Sequence, residues 1–415
     1  MIKNKLINNI AWNSIGSIVY LACQWFMTIV VVWIYDDFTN AGNLSLAMNI
    51  TNIFYTLALF NIRIFQVSDK NNEFNDRTYI YSRVFTCVIS FILCLIFVLF
   101  NNYFITQKKI IIFYMLYRSI DAFIDVLHGI DQKHWRMNYI GMSLIIRGIL
   151  NLIIFIILGI FFDLLTSIFG MLVISLLICF LFDYQKAKIL IVFSTVKIKN
   201  ILILLIKCLP IMMSSLIIMF IYSYSRYSLE KIYGIENLGI YTSVIAPTII
   251  LQVVASLLFM PMINIFTNYL KDNNYIRLKN MFFLYFLFIL FISIIFYFAS
   301  IIFGEWGINI LFGQSIIQYT YLLPEGIIVS GIYTVLILFN NILTIIRDIK
   351  GMLIGNIIGA VICLVITNYF LNNFYLTGAN YVIIISQLFI IIYFLYRFII
   401  FLFNNINKQK NLIAT

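Results

Sequence analysis

Four ionisable side chains follow one another at helical spacing inside an otherwise apolar stretch. They are Arg118, Asp121, Asp125 and His128, in the segment YMLYRSIDAFIDVLHGIDQKHWR at 114–136. Steps of three, four and three residues place all four on one face of a helix. A charged side chain at mid-bilayer costs about 3 kcal/mol on the insertion scale, so this face must meet protein partners or water. We interpret it as the lining of a transport cavity.

The alternative is that these charges only neutralise one another and hold helices together. Arg118 would then pair with Asp121, and Asp125 with His128. On the transport interpretation, two carboxylates one helical turn apart repel each other, which favours proton uptake by one of them, whereas Arg118 opposes it. We therefore expect Asp121 or Asp125 to couple transport to a cation, H⁺ or Na⁺. The sequence leaves both interpretations open.

Three further cations lie within or at the ends of predicted helices. Arg147 lies about nine residues inside its helix, too deep for easy contact with the membrane surface. Asp121 or Asp125 is its expected partner. Lys207 and Arg226 lie on another apolar helix.

Uncharged polar residues also recur at helical spacing in the first two apolar runs. Two neighbouring polar stripes indicate a shared, hydrated interior. The alternative is hydrogen bonding between helices, worth about 0.6 kcal/mol for each pair in a membrane. The stripes consist of Asn9, Asn13, Ser17, Tyr20, Gln24 and Thr28 in the first run and Ser45, Asn49, Asn52 and Thr56 in the second.

The elements that position these residues are predicted transmembrane helices. The chain has 415 residues, of which 63% are hydrophobic and 10% charged, which is typical of a polytopic all-α membrane protein. Twelve apolar runs are long enough to span a bilayer. They lie at about 10–34, 41–61, 80–101, 110–130, 138–161, 164–183, 201–226, 238–266, 280–303, 321–345, 351–371 and 379–402.

The net charge of +11 follows from the distribution of Lys and Arg and does not require a nucleic-acid partner. These residues concentrate in the loops on one side, where we also place Arg63 and Arg83. The positive-inside rule then predicts cytoplasmic N- and C-termini. The six cysteines lie inside predicted spans without metal-ligand spacing, so we expect no metal site, disulfide or cofactor.

The basic segment at 184–200 divides the predicted spans into two sets of six, giving lobes at 1–195 and 196–415. The lobes share a short pattern at the start of their second helix: an Asn, a Gly two residues later and a hydroxyl residue three beyond. It occurs at 40–45 and again at 237–242. The pattern and the equal helix counts favour duplicated lobes of parallel orientation.

Several of these segments resemble a known family. The Asn-x-Gly starts, FQVSD at 65–69, DVLHGIDQKHWRM at 125–137 and the Gly378-Ala379 start of the last span resemble lipid-linked oligosaccharide flippases. These are the O-antigen-type repeat-unit exporters of the multidrug/oligosaccharidyl-lipid/polysaccharide (MOP) superfamily. The similarity covers nearly the whole chain, although the chain has two spans fewer than the fourteen-span peptidoglycan-precursor branch.

The resemblance implies a MATE-like fold with two six-helix lobes around a central cavity. It implies alternating-access transport of an undecaprenyl-diphosphate oligosaccharide, in contact with membrane lipids, across the bacterial plasma membrane, with polysaccharide polymerase machinery as a further partner. Arginine suits a diphosphate because its guanidinium group binds phosphate in bidentate fashion. The predicted diphosphate ligands are Arg118, Arg147, Lys207 and Arg226, and the predicted sugar contacts are Asn13, Ser17, Gln24, Asn49, Asn52 and Tyr222.

Two other functions compete with this prediction. A multidrug cation antiporter of the same fold would need an acidic cavity, whereas the intramembrane cations here outnumber Asp121 and Asp125. A membrane polymerase or glycosyltransferase would need a substantial extramembrane segment with acid–base or metal-binding groups. The longest predicted external segment, 304–320, offers only Glu305 as an ionisable residue.

Overall fold

A computed structural model describes residues 2–35, 37–69, 73–191, 195–252, 265–270 and 272–414. Within these ranges the regular structure is entirely helical, so the predicted all-α class is confirmed. The helices of the first half are α1 Ile2–Tyr35, α2 Phe38–Leu59, α3 Ile62–Ser68, α4 Asp76–Phe100, α5 Ile105–Lys133, α6 Met137–Phe161, α7 Leu164–Ile178, a π-helical turn Cys179–Asp183 and α8 Tyr184–Lys188. Those that follow are α9 Ile198–Tyr233, α10 Ile235–Ile245, α11 Tyr275–Phe312, α12 Leu322–Ile345 and α13 Ile349–Ala414.

Nine helical segments of the described chain are long and apolar enough to cross a membrane. The sequence predicts twelve spans, three more than these nine, and each difference has an identifiable reason. α5, which contains the predicted span 110–130, is too charged to be among the nine, and the predicted span 238–266 lies partly outside the described residues. α13 contains two predicted spans, separated at Tyr375, whose backbone is not helical (φ 52°, ψ −133°). The chain is therefore a multi-pass membrane protein.

The chain forms two compact units. The first contains Met1–Met219 and Tyr233–Ser243, and the second contains Phe220–Ile232 and Val244–Thr415. The division into lobes at 1–195 and 196–415 stays a prediction.

The repeated sequence pattern corresponds to a reciprocal helix crossing inside the first unit. Ser45 Oγ of α2 lies 2.6 Å from Thr242 Oγ1 of α10, and the two residues are 197 positions apart. At Gly42 a methyl group would overlap the backbone of Ile235. At Gly239 it would overlap the backbone of Phe38, so equivalent positions of the two helices contact each other in both directions.

α5 is the central helix of the first unit. It packs against α2, α3, α4, α6, α7, the π turn and α8. At its start, the Gln107 side chain accepts a hydrogen bond from the Phe104 backbone N–H (3.1 Å), which satisfies an amide that the helix itself leaves unpaired. Because other helices surround α5, its charged face meets protein groups, as the cost of burying charge requires.

The second unit is built mainly from α11, α12 and α13. Phe282 of α11 packs against Phe339 of α12 and Phe398 of α13, with ring centroids 5.0 and 4.5 Å apart. Ser330 of α12 lies 3.0 Å from Thr248 in the 3₁₀ turn that follows α10.

Candidate functional site: a buried arginine cluster

Asp121, in the middle of α5, lies between two arginines. Arg118 Nη1 donates a hydrogen bond to Asp121 Oδ2 over 3.2 Å. Arg147 Nη1 of α6 lies 2.9 Å from Asp121 Oδ1, an ion pair without the alignment of a hydrogen bond. Tyr20 of α1 donates a further hydrogen bond to Oδ2 over 3.1 Å. The Arg147 and Asp121 side chains are only 5% and 3% exposed, so their charges are almost fully withdrawn from water.

Polar and aromatic groups from α1 and α2 complete this end of the site. Gln24 Nε2 donates to the Tyr117 hydroxyl over 2.9 Å. The Arg118 guanidinium lies over the Tyr55 ring, 3.6 Å from its centroid, and Nη2 is 3.4 Å from Asn52 Oδ1. The ring contact adds a cation–π attraction, which is stronger where water is scarce.

Asp125, one turn further along α5, also lies between two arginines. Arg63 Nη1 of α3 is 3.0 Å from Asp125 Oδ1, and Arg83 Nη2 of α4 is 2.7 Å from Asp125 Oδ2. Arg83 also donates to the Ala58 carbonyl oxygen over 2.7 Å, and Arg63 donates to Gln132 Oε1 over 3.1 and 2.8 Å. The carboxylate thus joins α3 and α4 to α5.

These groups form a single cationic site within the first unit, which we call the arginine cluster. Four guanidinium groups face two carboxylates, so the cluster has a formal excess of two positive charges. Its members are Arg63, Arg83, Arg118, Arg147, Asp121 and Asp125. Arg63 and Arg118 form the accessible edge, with side chains 27% and 16% exposed, whereas Arg83 is fully buried.

The assignment of Arg63 and Arg83 to the cytoplasmic side stays a prediction. The structure adds that both side chains contact the Asp125 carboxylate of α5, a pair of contacts that we did not predict from the sequence. The sequence contains a signal for Arg83, which lies eighth in α4 beside a row of hydroxyl residues spaced four apart. These are Thr78, Ser82, Thr86 and Ser90, all buried. A row of buried polar residues indicates a face that packs on other helices.

The predicted charge pairs are partly confirmed. Arg118 pairs with Asp121, and so does Arg147, for which Asp121 was one of two expected partners. The pairing of Asp125 with His128, which belonged to the alternative interpretation of a self-neutralising face, is not the one observed, since Asp125 pairs with Arg63 and Arg83. His128 Nε2 instead lies 3.1 Å from Asp183 Oδ1, because the π turn places that carboxylate opposite α5.

The uncharged candidates are distributed along α1 and α2. Gln24 and Asn52 contact groups of the arginine cluster directly, as described above. Asn49 lies on the same helix as Asn52 and is 4% exposed. Asn13 and Ser17 are half-buried on α1. Their predicted roles in sugar binding stay predictions.

The three remaining candidates lie outside the arginine cluster. Lys207 of α9 forms an ion pair with Glu73, and its Nζ lies 5.3 Å from the centroid of the Phe74 ring. Arg226 and Tyr222 lie on the part of α9 that belongs to the second unit. There, the Tyr222 hydroxyl accepts a hydrogen bond from Gln387.

Asp69 organises the connection between α3 and α4, outside the membrane-spanning helices. It accepts hydrogen bonds from the backbone amides of Glu73 and Phe74, over 2.9 and 3.1 Å, and from the Tyr79 hydroxyl over 2.9 Å. Burial alone would raise the pKa of Asp69, but these three donors together hold that pKa below its ordinary value. Within the described residues, no group of three His, Cys, Asp or Glu side chains is arranged to hold a metal ion.

Comparison with known proteins identifies the fold. No family model and no curated protein sequence matches the chain. Among solved structures, a mutant of the Vibrio cholerae MATE transporter VcmN matches with a TM-score of 0.66 and 10% identity, over 95% of this chain and 96% of that one. An inward-facing multidrug resistance MATE family transporter of the MOP superfamily matches with a TM-score of 0.67 and 13% identity, over 96% of this chain and 99% of that one.

A third similar structure is a MOP superfamily transporter from Pyrococcus furiosus. Its TM-score is 0.64 and its identity 14%, over 97% of this chain and 96% of that one. It is described as having a binding pocket of reverse polarity that suggests a different function. Because the identities are low, these matches establish the fold alone. This chain has the fold of the MATE transporters of the MOP superfamily.

Proposed function

We propose that this chain is a flippase that moves undecaprenyl-diphosphate-linked oligosaccharide repeat units from the inner to the outer leaflet of the bacterial plasma membrane. The flipped units would be delivered to polysaccharide polymerase machinery, and both termini would lie in the cytoplasm. The observation that supports this proposal is the excess of two positive charges in the arginine cluster.

The charge and geometry of the cluster suit a diphosphate. Two guanidinium groups, those of Arg63 and Arg118, form its accessible edge, and each presents a planar set of N–H donors that fits phosphate oxygens. Arg83 and Arg147 lie deeper and hold Asp125 and Asp121 in place. Without a substrate, the two carboxylates neutralise half of the cationic charge. A diphosphate has about two negative charges and would neutralise the rest.

The groups around the cluster suit the remainder of such a substrate. Gln24, Asn52 and the Tyr20 hydroxyl lie beside the arginines and provide donors and acceptors for sugar hydroxyls. A polyprenyl chain is apolar and can remain in the lipid while the polar head moves. A protein that alternates between inward-open and outward-open states can then move the head without carrying the tail through its interior.

The test measures binding and transport of a fluorescent short-chain polyprenyl-diphosphate oligosaccharide by the protein in proteoliposomes. Arg118→Ala should reduce binding of this probe at least tenfold, since a hydrogen bond to a charged group is worth about 1.5–3 kcal/mol. Arg118→Lys should restore it only in part, because an ammonium group does not reproduce the planar set of donors. Lys109→Ala, which removes an exposed cation at the start of α5, is the matched control. Equal binding by Arg118→Ala and Lys109→Ala would refute the proposal.

A multidrug cation antiporter is the second candidate, since two of the similar structures are described as multidrug resistance MATE transporters. An organic cation would require an acidic site, and it would be repelled by the arginine cluster. Expression of the chain in a drug-sensitive host distinguishes the two functions. Resistance to cationic dyes that is lost in Asp121→Asn would favour the antiporter. The predicted coupling of Asp121 or Asp125 to H⁺ or Na⁺ transport stays a proposal.

A further inference from the structure

A second group of ionisable side chains lies where α5 packs on the π turn. His128 Nε2 lies 3.1 Å from Asp183 Oδ1, and these side chains are 4% and 2% exposed. The other oxygen of the Asp183 carboxylate, Oδ2, is buried and has no hydrogen-bond partner among the residues that the structure describes. An unpaired buried carboxylate oxygen is costly, and proton uptake by the pair removes part of that cost.

The interface around this pair is otherwise apolar. Ile124, Leu127 and Ile130 of α5 pack against Cys179 and Ala187, which lie four residues before and four after Asp183. Apolar side chains would fill this space more cheaply than a buried imidazole and carboxylate. Packing alone therefore does not explain why His128 and Asp183 occupy this interface.

The π turn provides a second observation. It interrupts the helical path from α7 to α8, and Asp183 is its last residue. π-helical turns are rare in α-helical proteins and are frequent at functional sites. In a regular α-helix each side chain lies about 100° from the next, so the wider turn changes which side chain points at α5. It thus aims the carboxylate at His128.

The charged groups around His128 come from α3, α5, α6, the π turn and α8. α5 itself contributes Asp125 and Asp131, and Asp131 lies 3.8 Å from Arg136 at the start of α6. The other ionisable side chains that act on His128 or on Asp131 are Arg63 of α3, His134 at the end of α5, Arg147 of α6, Asp183 of the π turn and Lys186 of α8. Arg63 and Arg147 belong to the arginine cluster, so two of its cations act electrostatically on His128.

We propose that His128 and Asp183 form a buried proton-binding site, distinct from the arginine cluster, that takes up and releases one proton during the transport cycle. The proton binds to an imidazole nitrogen, and the Asp183 carboxylate stabilises the resulting imidazolium. Both carboxylates of the arginine cluster have two arginine partners each, whereas the hydrogen-bond partner of Asp183 is this histidine. The part of the proposal that concerns the transport cycle rests on the proposed function.

The test uses the fact that the chain contains only two histidines, His128 and His134. In full-length protein labelled with ¹⁵N-histidine and placed in lipid nanodiscs, His134→Gln leaves a single imidazole signal. We expect this signal to titrate between pH 5 and pH 9. In the His134→Gln background, Asp183→Asn should reduce the proton affinity of His128 at least tenfold, because it removes the anion that stabilises the imidazolium.

Two results would overturn the proton site: a His128 signal that does not change over this pH range, and a titration unaffected by Asp183→Asn. The role in transport is tested in proteoliposomes with the fluorescent probe described above. His128→Gln should abolish the response to an imposed proton gradient, whereas the exposed-site control His134→Gln should retain it. An equal response in both variants would overturn this role. If even the wild-type protein fails to transport the probe, the proposed substrate is wrong, and the titration still decides the proton site.

Discussion

The crossing of α2 and α10 gives the sharpest prediction, because replacing one glycine by alanine should open it. A Cβ atom at Gly239 would lie 2.8 Å from the Gly42 amide nitrogen and even closer to the Phe38 carbonyl oxygen. Ordinary contacts between such atoms are about 3.5 Å or longer. Both obstacles are backbone atoms, which cannot rotate away as a side chain can, so the helices must separate.

The cost of this overpacking is about 1–3 kcal/mol. It applies only to conformations in which the crossing is closed, so Gly239→Ala should shift the equilibrium towards open conformations about 5- to 150-fold. If the N-terminus is cytoplasmic, as proposed above, the crossing would lie at the outer face. The variant should therefore favour an outward-open state. Gly42→Ala should act in the same way, because a methyl group there overlaps the Ile235 backbone.

The rate of disulfide formation between α2 and α10 measures the fraction of molecules in which their crossing is closed. The hydroxyl oxygens of Ser45 and Thr242 are 2.6 Å apart, and a disulfide bond is about 2.05 Å long, so Ser45→Cys with Thr242→Cys should cross-link readily. A protease site inserted between α8 and α9 makes the fragments separate unless the disulfide has formed. Gly307→Ala is the matched control, because a Cβ atom there would have no neighbour within 4 Å in the described part of the chain. Both glycine variants are made in the protein that contains the Ser45→Cys and Thr242→Cys pair. If Gly239→Ala cross-links as fast as Gly307→Ala, the prediction that Gly239→Ala opens the crossing is refuted.

Four further predictions concern other parts of the chain. Arg83→Ala should destabilise the protein by about 1.5–3 kcal/mol, measured by thermal unfolding in detergent, because it removes one of the two arginines that donate charged hydrogen bonds to Asp125, while Arg63 remains. Lys207→Ala should change stability by less than about 1 kcal/mol in the same assay, since its ion pair is exposed to solvent. In intact cells, Lys188→Cys should resist an impermeant thiol reagent, and labelling would contradict the predicted orientation. Asp69→Asn should lower the unfolding temperature at neutral pH. The difference from wild type should vanish as the pH falls through the lowered pKa of Asp69, because the ionised form provides the stabilisation.

The α5 face could be predicted because the required information is local. Helical spacing alone places Arg118, Asp121 and Asp125 on one face. Because burying a charge in a membrane is costly, this face must contact polar partners. The identity of the partners depends on packing. Arg63 and Arg83 adjoin a polar loop in the sequence, and they reach Asp125 only because α3 and α4 fold against α5. Positive charge near a loop has the same appearance in the sequence whether it faces the cytoplasm or a buried carboxylate.

Two other features depend on geometry that short sequence patterns do not encode. The repeat of Asn, Gly and a hydroxyl residue predicts equivalent positions in two lobes, but equivalence does not require contact. The structure adds that Gly42 and Gly239 meet. Likewise, the pairing of His128 with Asp183 requires the π turn, which no residue pattern in 179–183 announces. In the alternative interpretation of a self-neutralising face, regular spacing paired His128 with Asp125, one turn away on the same helix.

The two carboxylates of the arginine cluster give it a second property besides net charge. An arginine cluster without anions would be strongly destabilising in a membrane, so the empty site needs negative groups of its own. Asp121 and Asp125 serve this purpose, and on the proposed function each arginine could exchange its contact with a carboxylate for one with a phosphate oxygen of the diphosphate. The exchange replaces one charged hydrogen bond by another, so the net free energy of binding is much smaller than the sum of the new contacts. The proposed flippase would need this balance, because a diphosphate bound by four uncompensated arginines would be released too slowly.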